Sequence, residues 1–154
     1  MHPITRRQTL ADLLRRTAIR LPNKLAIAVK LAHKAFSQRL PLAIYTSQPP
    51  VAEQIDRLLW TQPALGFLPH CRADAPLAAE TPVLIAETPA ALERLPQDEL
   101  LINLDDEVPP GFARFKRLIE IVGREEEDKT PGRARFKFYK DRGYEINRHD
   151  LSAK

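Results

Sequence analysis

Four short apolar runs set the terms for what this chain can fold into. Residues 42–46 (LAIYT), 83–86 (VLIA), 100–104 (LLINL) and 118–122 (LIEIV) are too short for helices. They are rich in residues that suit a pleated sheet, so each reads as a buried strand. Residues 66–68 add a brief extended piece that ends at Pro69. Between these runs the apolar residues return at helical spacing. Residues 9–19 carry Leu10, Leu13, Leu14 and Ala18 on one side, and residues 24–38 carry Leu25, Ala28, Val29, Ala32 and Phe36. Asn23 is placed to cap the second of these helices. Residues 50–60 repeat the pattern through Val51, Ile55, Leu58 and Leu59, residues 111–117 form a short helix, and residues 133–142 form the last one. Fourteen prolines against five glycines punctuate the chain at these boundaries. Strands alternating with amphipathic helices indicate an α/β fold, a single-domain three-layer sandwich with a mostly parallel sheet. At 154 residues, a second independent core is not expected.

Few chemistries fit this sequence. There is no GxGxxG or GxxxxGK[ST] phosphate loop and no GxSxG nucleophile elbow. Cys71 is the only cysteine, which excludes an intramolecular disulfide and a cysteine-based zinc site; a buried thiol in a reducing cytoplasm is the natural reading. His2, His33, His70 and His149 are too scattered to form a ligand pair, and His70 reads as a structural or surface residue. No apolar stretch approaches the roughly 20 residues of a membrane span. Asp105, Asp106 and Glu107 follow a predicted strand, where carboxylates can hold magnesium, but such a triplet also suits a solvated loop. No cofactor is expected.

The last helix carries the most information. The segment 129–144 reads KTPGRARFKFYKDRGY, with Asp128 as a cap and Pro131 in the first turn. At about 100° per residue, Lys129, Arg133, Phe136, Lys137 and Lys140 share one arc, and Arg135, Phe138, Tyr139 and Arg142 lie on the other side. The inner face would bury Phe138, with the Tyr139 ring at its edge. The outer face would set four cations around an exposed Phe136. That arrangement suits an acidic peptide ending in an apolar residue, or a nucleic-acid strand with a stacking base. It is also compatible with a solvated basic face on which Phe136 is tucked against a neighbour.

Three segments carry a family resemblance. IDRLLWTQPALGFLPH (55–70), LLINLDDEVPPGFARFKRLIEIV (100–122) and GRARFKFYKDRGY (132–144) are similar, in this order, to the chi subunit of bacterial DNA polymerase III. The likeness runs from about residue 23 to residue 151. It implies a fold related to mononucleotide-binding domains, no intrinsic catalysis and a cytoplasmic role in DNA replication. The implied partners are the psi subunit, through it the clamp loader, and the acidic, Phe-terminated tail of single-stranded-DNA-binding protein; DNA is met mainly indirectly. By position the tail site comprises Lys129, Arg133, Phe136, Lys137 and Lys140, with Phe136 where the family commonly has tyrosine. Trp60 and Phe67 fall where the family meets psi and an accessory helicase; the lesser alternative is that Trp60 is simply core. The family opens with a short strand, a place that only residues 17–21 (TAIRL) can take here. The expected layout is an N-terminal extension over 1–15, the domain over 16–151 and a tail over 152–154. Two other classes stay open: a direct single-stranded nucleic-acid binder, and a metal-dependent enzyme built on Asp105, Asp106 and Glu107.

Overall fold

The computed structural model describes residues 10–61, 68–122 and 126–143, with side chains from residues 24–61, 68–122 and 130–143. The chain divides into two compact units. One comprises Leu25–Ile121, and the other comprises Met1–Lys24 together with Val122–Lys154.

The larger unit holds five parallel strands: β1 (Leu42–Tyr45), β2 (His70–Arg72), β3 (Val83–Ala86), β4 (Leu100–Asn103) and β5 (Arg117–Glu120). Their order is β2-β3-β1-β4-β5, all pairings parallel, with Leu42 opposite Val83 on one side and Leu100 on the other. Every residue of β1, β3 and β4 is buried. Such unbroken burial requires cover on both faces, which helical crossovers supply in a parallel sheet. Ala43, Tyr45, Leu84, Ala86 and Leu101 point to one face and pack with Leu92, Leu95, Ala78 and Phe115. The alternating residues Leu42, Ile44, Val83, Ile85 and Ile102 are buried as well. Helix α1 runs over Leu10–Ser37, α2 (Pro49–Trp60) contacts β2 and β3, and α3 (Pro89–Glu93) contacts β3. The fold class is α/β, and the described sheet is wholly parallel.

Several local expectations are corrected. Residues 9–19 and 24–38 do not form two helices, and residues 17–21 are not a strand: all but residues 9 and 38 lie within α1. Asn23 is therefore inside a helix rather than capping one. Alanine, leucine, lysine and arginine in the segments flanking TAIRL favour helix, and the weak β signal of these five residues does not outweigh them even with Pro22 following. Trp60 ends α2 as the spacing indicated, but the second strand begins at His70; residues 66 and 67 lie outside the described part. The short helix over 111–117 reduces to a single 3-10 turn at Phe112–Arg114. The five-residue α3 was not anticipated; Thr88 caps it by accepting a hydrogen bond from the Ala91 amide.

In the smaller unit α4 (Glu126–Asp141) begins earlier than the sequence suggested. The run Glu126, Glu127 and Asp128 forms its first turn, where acidic residues complement the helix dipole, so Asp128 is not the cap and Pro131 is interior. Gly143, at φ 83°, ends the helix in the left-handed conformation that glycine adopts without strain. Gly132 has a different reason to be glycine. A Cβ there would come within 2.8 and 3.0 Å of the two Val122 methyl groups. Valine is stiff at χ1 and cannot swing away cheaply. Gly132→Ala should therefore cost about 1 kcal/mol net, because overpacking exceeds the gain in helix propensity. In a Val122→Ala background the same change should stabilise by up to about 1 kcal/mol, and paired urea melts check the reversal.

Candidate functional site

The side chains of α4 sort into a buried stripe and an exposed face. Pro131, Gly132, Arg135 and Tyr139 are buried, with Arg135 only 2% exposed. Arg133, Lys137, Lys140 and Arg142 are exposed. Phe136 is half-buried, neither fully exposed nor lost in a core. Phe138 was expected to be the buried ring, but Tyr139 takes that place. Phe138 is half-buried, edge-on to Tyr139 at 5.9 Å, with the Arg142 guanidinium 3.6 Å above its ring. A helical wheel fixes which residues share a face but not how deep each one sits, and the stripe at 131, 132, 135 and 139 turned inward. The exposed face brings together Arg133, Lys137 and Lys140 beside the partly covered Phe136 ring. Lys129 belongs to the same helix, and its side chain lies outside the described residues. Guanidinium and ammonium groups beside an apolar wall can hold carboxylates and an apolar terminus together.

A second arrangement joins α2 to β2. Trp60, the last residue of α2, is 61% exposed, so it is not core. Its indole lies against the His70 imidazole, ring centroids 4.7 Å apart and planes tilted by 58°. His70 is buried, not a surface residue: its Nδ1–H donates to the Leu68 carbonyl at 2.8 Å. Nε2 lies 2.9 Å from Asp56 Oδ1 without a hydrogen bond between them. Arg72 extends the cluster, bonded to Glu87 at 2.5 Å and Glu53 at 3.2 Å, and 3.7 Å from Asp56. Phe67 lies outside the described residues. Cys71, next to His70, is half-buried against the core rather than fully enclosed.

The carboxyl ends of the strands are where folds of this class hold phosphates, in the crevice where strand order reverses. Here that crevice offers no free backbone donor from Thr46 to Ala52. The Thr46 amide bonds Ala86 O, the Ser47 amide bonds Asp105 Oδ1, and the Gln48 amide bonds Thr46 Oγ1. Pro49 and Pro50 have no N–H. Val51 and Ala52 both donate to Gln48 O. Asp105 is a structural clamp, accepting also from the Thr46 hydroxyl at 3.1 Å. The negative charge of Asp105 raises the pKa of the Tyr45 phenol, after the larger effect of burial. The acidic turn is folded by Asn103, fully buried, whose amide donates to Asp105 O, Glu107 O and Glu120 Oε2 and accepts from the Asp105 amide. Among the described residues no three His, Cys, Asp or Glu side chains converge as metal ligands. Asn103 was missed in the sequence. The signal available was a polar amide inside the apolar run LLINL.

The family model described as DNA polymerase III chi subunit, HolC, matches residues 14–147. The chain belongs to the DNA polymerase III chi subunit family. Its match spans both units, including the α4 face and the Trp60–His70 contact. The chain is 29% identical over 128 residues to DNA polymerase III subunit chi of Pseudomonas aeruginosa, covering 83% of this chain and 87% of that one. It is 26% identical over 125 residues to subunit chi of Haemophilus influenzae, covering 81% and 85%. The role is thus that of a polymerase subunit in DNA replication. A solved structure, the Hef helicase domain of Pyrococcus furiosus, superposes with a TM-score of 0.55 at 16% identity over 73% of this chain. This chain covers 27% of that structure, and the likeness concerns the α/β fold alone. No helix among the described residues is long and apolar enough to cross a membrane.

Proposed function

We propose that this chain is a non-catalytic cytoplasmic adaptor between the clamp loader and single-stranded-DNA-binding protein. In this reading Arg133, Phe136, Lys137 and Lys140, with Lys129 by position, receive the acidic, Phe-terminated tail of that protein. Trp60, with Phe67 by position, docks psi or an accessory helicase. The observation that carries the reading is the exposure of Arg133, Lys137 and Lys140 around a half-buried aromatic ring. Adaptor work without phosphate chemistry is supported by the strand-end loop, whose amides are already spent on internal hydrogen bonds. The acidic turn is read as structural, since Asp105 holds Thr46 and Ser47 in place.

A labelled acidic peptide ending in phenylalanine, titrated beside a labelled oligothymidylate, tests the proposal. The peptide should saturate a single site and stay bound when the oligonucleotide is added. If the oligonucleotide binds more tightly and displaces the peptide, the α4 face is a nucleic-acid surface and the adaptor reading is wrong.

A further inference from the structure

We propose that Leu77, in the connection between β2 and β3, is a docking knob for psi, and that it enters an apolar pocket rimmed by lysine or arginine on that partner. The choice of psi rests on the reading of Trp60 as a docking residue. Leu77 is 63% exposed, the most exposed of the large apolar side chains among the described residues. Pro76 and Ala79 beside it are exposed as well, so the patch is larger than one side chain. A leucine alone on a surface needs no explanation, but this one is held out by its backbone. The Ala75 amide bonds Arg72 O, and the Ala78 amide bonds Ala75 O. The Leu77 carbonyl accepts from both the Glu80 amide and the Thr81 hydroxyl. Ala78, the next residue, is buried in the core cluster and pins the turn to the sheet. A segment tied at each of these points loses little freedom when a partner arrives, which favours affinity.

The charge beside the knob in sequence is of one sign. Asp74 and Glu80 flank it, and both are exposed. No lysine or arginine occurs between Arg72 and Arg94. Arg72 itself is committed to Glu87, Glu53 and Asp56. An apolar tip between two carboxylates matches an apolar pocket between cations, and such rim charges act mainly on encounter and specificity. The knob is also continuous with the surface of Trp60. β2 is the outermost strand on its side of the sheet. His70 turns toward α2, where it meets Asp56 and the indole, while Cys71 and Ala73 pack against the cluster that contains Ala78. The end of α2 and the Leu77 turn therefore flank one sheet edge from its two faces. A contact of ordinary size, about 800 Å² on each partner, spans both.

Titration of the full chain with recombinant psi tests the proposal. Leu77→Ser should weaken psi about tenfold and leave the urea midpoint unchanged, because little of the side chain is packed in the folded chain. Leu77→Met, which keeps the apolar volume, should bind like the parent. Asp74→Asn combined with Glu80→Gln should cost severalfold, and the loss should shrink as salt is raised. An acidic peptide ending in phenylalanine should bind all of these variants equally. If psi binds Leu77→Ser as tightly as the parent, the knob is not part of that interface. A loss confined to the accessory helicase, or to self-association of the chain in sedimentation, would give the knob a different occupant and overturn the proposal. If Leu77→Ser weakens psi while Trp60→Ala does not, the reading of Trp60 fails and Leu77 remains a psi contact.

Discussion

Trp60→Ala is expected to weaken the partner bound at α2 by 2 kcal/mol or more, about thirty-fold, while changing folding stability by no more than about 0.5 kcal/mol. The two halves of this expectation share one cause. The indole is more exposed than covered, so truncating it opens little cavity in the folded chain. In a complex the same ring would be desolvated, and tryptophan is among the residues that most often dominate an interface. Isothermal titration with psi, and separately with the helicase, beside a urea melt of the variant gives both numbers. A variant that unfolds, or one that binds as tightly as the parent, would remove Trp60 from the interface.

Strands were legible in this sequence because burial and period agree there. The runs at 42–46, 83–86 and 100–104 are apolar but for Thr46 and Asn103, and β1, β3 and β4 occupy them. The start of the chain was misread because its periodicity is broken by Pro22 and because TAIRL has a β-branched residue at Thr17 and another at Ile19. Those are weak local signals, and the flanking helix formers prevail. On α4 the sharing of a face was legible and the depth was not. Spacing grouped Arg133, Phe136, Lys137 and Lys140, but only packing decides that Tyr139 is buried and Phe138 half-covered. His70 and Asn103 were not visible as organising residues for the same reason. Their partners, Asp56 and Leu68 for one and the backbone of the acidic turn for the other, are fixed by tertiary approach as well as by local sequence.

The largest effect is expected at the α4 face. Deleting the terminal phenylalanine from an acidic tail peptide should abolish measurable binding although its side-chain carboxylates remain. The lysines alone interact through solvent, where each exposed pair contributes less than about 1 kcal/mol and salt screens it. The ring supplies what that surface attraction cannot, and by seating on Phe136 it sets the terminal carboxylate within reach of Arg133; the shortened peptide still ends in a carboxylate, but nothing places it there. Phe136, already half-buried, forms a wall whose position is largely fixed before the ligand arrives. Arg133 is exposed one turn away, and its planar fork can meet a carboxylate in two parallel hydrogen bonds. Arg133→Ala should therefore weaken the full-length peptide by about 2 kcal/mol, roughly thirty-fold. Lys137→Ala and Lys140→Ala should cost severalfold at most and should flatten the dependence of affinity on salt. Phe136→Tyr should bind at least as well as the parent, because the ring is retained and a hydroxyl is added at its tip. Fluorescence anisotropy with a labelled peptide at two ionic strengths separates these outcomes. Equal binding of the shortened peptide would reduce the face to an electrostatic patch. Equal losses from Arg133→Ala and Lys137→Ala would argue against a two-point grip by the guanidinium.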